Sequence, residues 1–372
     1  MLHVQEPRTL KRPGGNSTLT ISDITEEAAA LSAFDGHERI WCGRDEECGL
    51  TAIVAIHDTS LGPALGGTRI WPHESFEAAL TDALRLSRGM TYKSAVAGLP
   101  FGGGKAVIIA DPKTDKTPAL LSAYAEMLAA LEGQFFTAED VGMTVADTDF
   151  LRARASNVLG TTKGGSGNPS PITAEGVFLG IKAALSHRRG APNLSGIRVA
   201  VQGLGSVGST LCERLTGEGA ALIVHDIDSS RMERMAKAFG AQCVSAEEVI
   251  RADADVFAPC ALGGVISRET IPLLKAEIVA GSANNQLARH DDARLLMEHG
   301  ILYAPDYVIN SGGLINVAAE LSPDGYRREA VMAEVTKIPI VLTDIFERSK
   351  AQQRPTNDIA AEITMERIRA AH

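Results

Sequence analysis

The segment IRVAVQGLGSVG, residues 197–208, constrains the fold of this chain more than any other stretch. A short β-branched run ends at Gly203, Gly205 and Gly208, which have GxGxxG spacing and open the helical pattern VGSTLCERL. Such glycines allow a tight turn, and the unpaired N–H groups at the start of the helix favour an anion. A strand, a glycine turn and a helix in this order predict the first unit of a dinucleotide-binding sheet.

The residues around these glycines extend the prediction to the cofactor. Ser206 and Val207 lie in the same turn, so we expect them to contact a pyrophosphate as well. The second predicted strand, ALIVHD, ends in Asp226, whose carboxylate can accept hydrogen bonds from an adenosine ribose. A carboxylate repels a 2′-phosphate, which favours NAD over NADP. The alternative is a helix-opening turn and an unrelated surface aspartate.

Short apolar strands alternate with helical segments from residue 197 to about residue 307. The strands are IRVAVQ, ALIVHD, ADVFAPC, AEIVAG and GILYAPD. Continuously apolar strands joined by helices predict a parallel sheet that is covered on both faces.

Ligands of such sheets bind beyond the carboxyl ends of the strands. This rule selects three segments rich in small residues and amides, APCALGG (258–264), GSANNQ (281–286) and NSGG (310–313), which could hold a nicotinamide and its ribose. The candidate cofactor contacts there are Cys260, Ala261, Asn284 and Asn285. We interpret Cys260 as a packed thiol, since no histidine is placed to activate it.

The first half of the chain has a different pattern. It contains an apolar run at 50–58, a helical pattern at 75–93, the strand AVIIA after a glycine turn, a helix at 118–131, and GQFFTAEDVG as strand and loop. The Gly/Ser/Pro-rich stretch at 160–171 marks a boundary. We therefore predict an α/β protein with a flexible tail (1–20), a first domain (21–160) and a second domain (161–335) of the dinucleotide-binding type. We expect the helices at 336–372 to pack back on the first domain, with a kink or restart at Pro339.

Composition excludes several classes of function. The net charge of −10 is spread without a basic stripe, so we expect no nucleic-acid partner. No apolar run approaches the roughly 18 residues of a membrane span, and the first residues lack the apolar core of a signal peptide. The cysteines lack paired spacing, so we expect neither disulfides nor a metal site, and a cytoplasmic location. They are Cys42, Cys48, Cys212, Cys243 and Cys260.

Two lysines and an aspartate are the candidate chemical groups of the first domain. Lys93 ends a predicted helix and Lys105 follows three glycines, so both could face one cleft. One ammonium could then hold a carboxylate while the other, deprotonated, acts as a general base. Asp140, on a loop, could exchange protons with an amine. Solvated surface charges remain the alternative for all three residues.

Eight motifs together resemble the Glu/Leu/Phe/Val amino-acid dehydrogenase family, most closely its leucine dehydrogenase branch. They are LGPALGGTRIW, GMTYKSAVAGLPFGGGKAVI, TAEDVGMTV, GNPSPITAEGV, VQGLGSVG, VFAPCALGGVI, VAGSANNQLA and YAPDYVINSGGLINVA. The resemblance implies an N-terminal substrate and oligomerisation domain and a C-terminal Rossmann domain, separated by a cleft, in a homo-oligomer. The implied reaction is reversible, NAD-dependent oxidative deamination of an L-amino acid to a 2-oxo acid and ammonia, without a metal.

The resemblance also implies roles for individual residues. Lys93 matches the lysine that binds the substrate α-carboxylate, Lys105 the catalytic lysine, and Asp140 the acid that handles the amino group. Gly66 and Gly67 match the glycines that line the substrate main chain. Asn285 matches the amide that orients substrate and nicotinamide.

Substrate choice follows from four further positions. Glutamate-specific members place a lysine before the glycine pair and a serine near the end of the Rossmann domain, where this chain has Leu65 and Val317. Ala138 resembles leucine-type members, and Leu314 stands where they usually carry valine. We therefore expect leucine, valine and isoleucine as substrates. The alternatives are an aromatic amino acid such as phenylalanine and, remotely, a non-catalytic dinucleotide-binding regulator.

Overall fold

The structure is a computed structural model that describes residues 18–371. The predicted tail at 1–20 therefore lies almost wholly outside the described residues. The chain divides into two compact units. Unit 1 contains the residues up to Asn168, together with Val317–Tyr326 and the residues from Arg367 onward. Unit 2 contains Pro169–Asn316 and Arg327–Glu366.

Unit 1 is built on a mixed six-stranded sheet of order β1-β2-β3-β5-β4-β6. The strands are β1 Thr20–Asp23, β2 Arg39–Asp45, β3 Leu50–Asp58, β4 Ala64–Trp71, β5 Gly102–Ile109 and β6 Phe135–Glu139. The first three strands and β5 pair antiparallel, whereas β4 lies between β5 and β6 and is parallel to both. Three parallel strands thus lie side by side; Gly67 and Lys105 lie near the middle of β4 and β5, and Asp140 follows the end of β6.

Helices cover both faces of this sheet. They are α1 Thr25–Ala28, α2 Phe76–Val96, α3 Pro118–Ala130 and α4 Val145–Arg152. The Ser75 hydroxyl caps α2 by accepting the Ala78 N–H, as the helix-start pattern predicts. Residues of α2 share a core cluster with Ile53 and Val107, and Tyr124 of α3 is buried in a second cluster with Phe135. Burial on both faces explains why the strands read as continuous apolar runs.

The three glycines before Lys105 correct one prediction. We expected a turn there, but β5 already begins at Gly102, and the glycines are strand residues. A Cβ at Gly103 would overlap the backbone of Thr91, and one at Gly104 would lie 2.7 Å from the Phe135 ring. The glycines are therefore needed because helix α2 and strand β6 pack closely on the strand, and no bend is involved.

Unit 2 contains a fully parallel six-stranded sheet of order β12-β11-β10-β7-β8-β9. The strands are β7 Arg198–Gln202, β8 Ala221–His225, β9 Gln242–Cys243, β10 Val256–Pro259, β11 Ile278–Val279 and β12 Leu302–Tyr303. The strand order reverses between β7 and β10, as it does in dinucleotide-binding folds. The sequence predicted every strand except β9, which has two exposed residues and no apolar pattern.

Ten helices follow the boundary at Pro169 within the described residues. They are α5 Ser170–Arg189, α6 Ser206–Gly217, α7 Ser229–Phe239, α8 Ala246–Ile250, α9 Asp292–Glu298, α10 Asp306–Ile309, α11 Gly312–Ala318, α12 Arg328–Val335, α13 Ile338–Gln352 and α14 Thr356–Arg369. No helix in the described part of the chain is long and apolar enough to cross a membrane.

The C-terminal helices correct a second prediction. We expected residues 336–372 to pack on the first domain, but residues up to Glu366 belong to unit 2. A Cβ at Gly180 of α5 would lie 3.0 Å from the Leu342 side chain, so this glycine lets α13 approach α5 closely. The restart expected at Pro339 is confirmed, because α12 ends at Val335 and Pro339 lies in the first turn of α13.

Candidate functional site

Lys105 and Asp140 form an ion pair on the parallel strands of unit 1. Lys105 lies on β5, Asp140 follows β6, and the Lys105 Nζ and Asp140 Oδ2 atoms are 2.6 Å apart. The Lys105 residue is only 6% exposed. This burial excludes the alternative that Lys105 is a solvated surface charge.

Gly67, on the strand between them, has no side chain that would crowd this pair. A Cβ at Gly67 would lie 3.4 Å from Lys105 Nζ and 3.0 Å from Asp140 Cβ. A larger residue at this position would therefore press on both the ammonium and the carboxylate. Gly66 has a different environment, because a Cβ there would overlap the carbonyl oxygen of Gly104.

The charges around Asp140 fix its ionisation. Burial raises the pKa of this carboxyl, but the positive charges of Lys105 and Arg69, with hydrogen bonds from Lys105 and the Val141 backbone, outweigh burial and lower the pKa to about 2. Asp140 is therefore a carboxylate at neutral pH, in a site of low solvent exposure.

Arg69 belongs to the same cluster, although the sequence analysis missed it. Its Nε atom lies 3.5 Å from Asp140 Oδ2, and its Nη1 atom donates a hydrogen bond of 2.9 Å to Asp82 on α2. The Nε2 atom of His73 lies 3.5 Å from the same Asp82 oxygen. Arg69 is two residues after Gly67 on one strand, so the period-two alternation of strands was a usable signal.

The other predicted substrate residues of unit 1 lie on the same elements. Leu65 and Ala138 are buried, and the register that pairs Leu65 with Phe136 and Gly67 with Ala138 places both on the Gly67 face of the sheet. Lys93 is half-buried on α2, the helix that packs against β5. Val317 is buried in unit 1, whereas Leu314, three residues earlier on α11, is half-buried in unit 2.

The glycine loop of unit 2 is shaped for the close approach of a ligand. Gly203 has a φ of +100° and packs against Ala261, and a Cβ at Gly208 would overlap the Gly203 carbonyl oxygen. A Cβ at Gly205 would have no heavy atom within 4 Å. No side chain caps the start of α6, where Ser206 is exposed and Val207 half-buried. Open space at an uncapped helix start fits a pyrophosphate.

Asp226 follows β8 and braces the same loop. Its Oδ2 atom accepts the Leu204 N–H at 2.6 Å, and its Oδ1 atom accepts the Asp228 N–H at 2.9 Å. Burial raises the pKa of Asp226, but these two N–H groups and Arg231, 3.6 Å away, lower it below its usual value. The next side chain, Ile227, is 98% exposed, which offers an apolar surface beside the carboxylate.

The two remaining cofactor segments approach each other closely. A Cβ at Gly263 would lie 2.7 Å from the carbonyl oxygens of Asn284 and Asn285. Asn285 has a φ of +51°, a left-handed conformation that is uncommon outside glycine and often marks functional sites. The side chain of Asn310 donates a hydrogen bond of 2.9 Å to Asn284 Oδ1 and so supports the Asn284 side chain, a role that the sequence did not reveal.

Cys260 is packed within this region. Its backbone N–H donates to the Gln202 carbonyl oxygen at 2.7 Å, which continues the pairing of β7 and β10. Burial raises the pKa of its thiol, so a nucleophilic thiolate is disfavoured, in line with the sequence interpretation. Among the described residues, no three His, Cys, Asp or Glu side chains form a group that could hold a metal ion.

Together these features define a class of protein. Unit 2 has the strand order, glycine loop and acidic residue of a dinucleotide-binding domain, and unit 1 has a buried lysine paired with a half-buried aspartate beside a glycine. This combination is that of a nicotinamide-dependent dehydrogenase.

Comparisons with known proteins specify the class further. Residues 38–157 match the family model described as "Glu/Leu/Phe/Val dehydrogenase, dimerisation domain", and residues 222–372 match "Glutamate/Leucine/Phenylalanine/Valine dehydrogenase". The chain therefore belongs to the Glu/Leu/Phe/Val dehydrogenase family and is an amino-acid dehydrogenase, as the motifs indicated. Membership implies a nicotinamide cofactor.

Individual relatives span nearly the whole chain. A leucine dehydrogenase of Geobacillus stearothermophilus is 49% identical over 340 residues, which cover 91% of this chain and 92% of that enzyme. An L-tryptophan dehydrogenase of Nostoc punctiforme is 48% identical over 334 residues, 90% of this chain and 94% of that enzyme. A crystal structure of L-tryptophan dehydrogenase from that organism matches with a TM-score of 0.80 at 47% identity, covering 90% of this chain and 97% of that one.

Proposed function

We propose that this protein catalyses the reversible, NAD-dependent oxidative deamination of branched-chain aliphatic L-amino acids to 2-oxo acids and ammonia. The observation that carries the proposal is the Lys105–Asp140 ion pair of 2.6 Å, which lies beside Gly67 on a sheet face that also carries the apolar Leu65 and Ala138. The similarity to leucine dehydrogenase at 49% identity supports the aliphatic preference.

Each group of unit 1 has a proposed role in this reaction. Lys93 holds the substrate α-carboxylate. Asp140 accepts a hydrogen bond from the α-amino group and exchanges a proton with it. A bound nicotinamide supplies the acceptor for the hydride of the α-carbon. Lys105, after losing its proton, acts as the base that activates water for attack on the imine carbon.

The proposed substrate preference rests on the absence of a lysine at one position and of a serine at another. Leu65 and Val317 are buried aliphatic residues where glutamate-specific relatives use polar groups. A glutamate side chain would lose its hydration there without gaining a partner, at a cost of several kcal/mol, or about a thousandfold in specificity. An aromatic substrate is the alternative, which the 48% identity to an L-tryptophan dehydrogenase supports.

The proposed contacts of the cofactor lie in unit 2. The loop around Gly205 holds the pyrophosphate, Asp226 receives the adenosine ribose, and the segments around Ala261 and Asn285 hold the nicotinamide and its ribose. The buried Asp226 carboxylate supports NAD over NADP, since a 2′-phosphate would meet a negative charge.

We further propose a homo-oligomer in the cytoplasm. The model that matches residues 38–157 is described as a dimerisation domain, which supports self-association. All five cysteines are free thiols, which supports a reducing compartment. Light scattering on the purified chain measures its mass, and a monomer would contradict the first part of this proposal.

One assay tests the proposed reaction. NADH formation should be measured with leucine, valine, isoleucine, phenylalanine, tryptophan and glutamate, each with NAD and with NADP. We expect the three aliphatic substrates to have the highest kcat/KM and glutamate the lowest. A higher kcat/KM for phenylalanine or tryptophan than for all three aliphatic substrates would establish the aromatic alternative. If no substrate were turned over, the non-catalytic dinucleotide-binding regulator would be the remaining interpretation.

A further inference from the structure

Arg69 contacts the acid of the proposed reaction. Its Nε atom lies 3.5 Å from Asp140 Oδ2, its strand β4 pairs with the β5 strand that carries Lys105, and only about a quarter of its side chain is exposed. We propose that Arg69 is a positioning residue that keeps Asp140 ionised at the moment when Lys105 gives up its proton. This inference rests on the proposed function.

The argument starts from the electrostatics of an isolated pair. If Lys105 were the only cation near Asp140, loss of its proton would leave a buried carboxylate without a counter-charge, and Asp140 would bind a proton more readily. Lys105 would then release its proton less readily and would less often be available as a base, because the pair would hold the proton jointly. A guanidinium stays charged throughout the working pH range and removes this problem.

Arg69 is itself held in place by a second carboxylate. Asp82 on α2 accepts a 2.9 Å hydrogen bond from Arg69 Nη1 and lies 3.5 Å from His73 Nε2. Asp82 therefore fixes the guanidinium and partly offsets its charge. Removing Arg69 or Asp82 should change the potential at Asp140 in opposite directions.

Other charged groups near the pair are few in the elements packed around it. Glu139 precedes Asp140, and burial and the Asp140 charge raise the pKa of Glu139. Lys93 is on α2, which packs on β5, and Ala55 of β3 lies opposite Lys105. Because none of these groups changes in the variants below, shifts can be attributed to Arg69 and Asp82.

The test uses pH profiles of kcat/KM for leucine oxidation in Arg69→Met, Arg69→Lys and Asp82→Asn. We expect the apparent pKa of the rising limb to move up by about one unit in Arg69→Met, because an opposite charge at this distance is lost. Asp82→Asn should move it down by a smaller amount, and Arg69→Lys should restore most of the wild-type profile. Arg154→Met, at an exposed residue just after the end of α4 that is stacked on Phe150, makes the same change in net charge and should leave the profile unchanged.

A second measurement does not depend on turnover. Trace acetylation of amines at a series of pH values, followed by mass spectrometry of the peptide that contains Lys105, gives the pH at which its labelling is half-maximal. That pH should move in the same direction as the kinetic pKa in Arg69→Met and Asp82→Asn. The inference would be overturned if the pH of half-maximal labelling were unchanged in Arg69→Met, or if it shifted equally in Arg69→Met and Asp82→Asn. If the wild type turns over no amino acid, the proposed function fails, and the labelling result still decides the role of Arg69.

Discussion

The adjacent glycines Gly66 and Gly67 should respond to the same substitution in opposite ways. In Gly66→Ala, the new Cβ would overlap the Gly104 carbonyl oxygen, so the strands must separate. We expect a loss of about 3 kcal/mol or more in the free energy of unfolding. In Gly67→Ala, the closest atoms are 3.0 Å away, at Asp140 Cβ and Glu139 O, so shifts of a few tenths of an ångström suffice. The expected cost in stability is about 1 kcal/mol.

For catalysis by the folded protein we expect the opposite ranking, with Gly67→Ala the more damaging of the two substitutions. The Gly67→Ala methyl group fills the space beside Lys105 Nζ, 3.4 Å away, and displaces the substrate main chain. A misplacement of about 1 Å in a reacting group costs about a hundredfold in rate, or roughly 3 kcal/mol of activation free energy. Folded Gly67→Ala should therefore lose about a hundredfold in kcat/KM.

Thermal unfolding and kcat/KM for leucine measure the two effects. Gly89→Ala is the matched control, because Gly89 lies on the exposed side of α2 and a Cβ there has no atom within 4 Å. The free energy of unfolding of Gly89→Ala should rise by about 0.5 to 1 kcal/mol, and the variant should keep its activity. Gly67→Ala with kcat/KM within about threefold of wild type, or Gly66→Ala as stable as wild type, would refute the reasoning.

Three further changes have expected outcomes. Asp226→Ser should raise the ratio of NADP to NAD use at least about tenfold, measured as kcat/KM, because a repelling carboxylate is lost and Arg231 keeps only Asp228 as an acidic partner. Burial lowers the pKa of His37 to about 4, below its value in the unfolded chain. The free energy of unfolding of the wild type, measured by urea titration, should therefore fall by up to about 3 kcal/mol between pH 6.5 and pH 4 through this group. In His37→Gln that fall should be smaller. Lys105→Ala should abolish turnover but keep NADH binding, measured by fluorescence. The double variant with Asp140→Asn should lose little further activity, because the two groups act together.

The sequence predicted what depends on local pattern. Strands such as Leu50–Asp58 and the loop at Gly203 follow from β-branched runs and glycine spacing, and both are where the patterns placed them. The motif GGGK was misleading for a physical reason. Glycine signals a turn when only neighbouring residues are considered, whereas at Gly103 it is required by the Thr91 backbone, twelve residues earlier.

Features that depend on contacts between distant segments could not be predicted from pattern. Arg69 pairs with Asp82, thirteen residues later on another element, and only the packing of α2 on the sheet brings them together. The helix at Ile338–Gln352 is amphipathic, but its pattern does not say which surface it covers. The partner is α5, where Gly176 and Gly180 leave room for Ile338 and Leu342, and Gly180 also leaves room for Ile309 of α10.

The resting state of the Lys105–Asp140 pair restricts the order of proton movements in the proposed reaction. Because the pKa of Asp140 is held at about 2, it binds almost no proton at neutral pH and cannot be the first donor. Lys105, 2.6 Å away, must first lose its proton or move, since its charge is one cause of that low pKa. In the direction of deamination, base action by Lys105 thus precedes any acid action by Asp140, and in the reverse direction the sequence inverts. A pH profile that showed a second, independent acid at Asp140 in the free enzyme would be incompatible with this coupling.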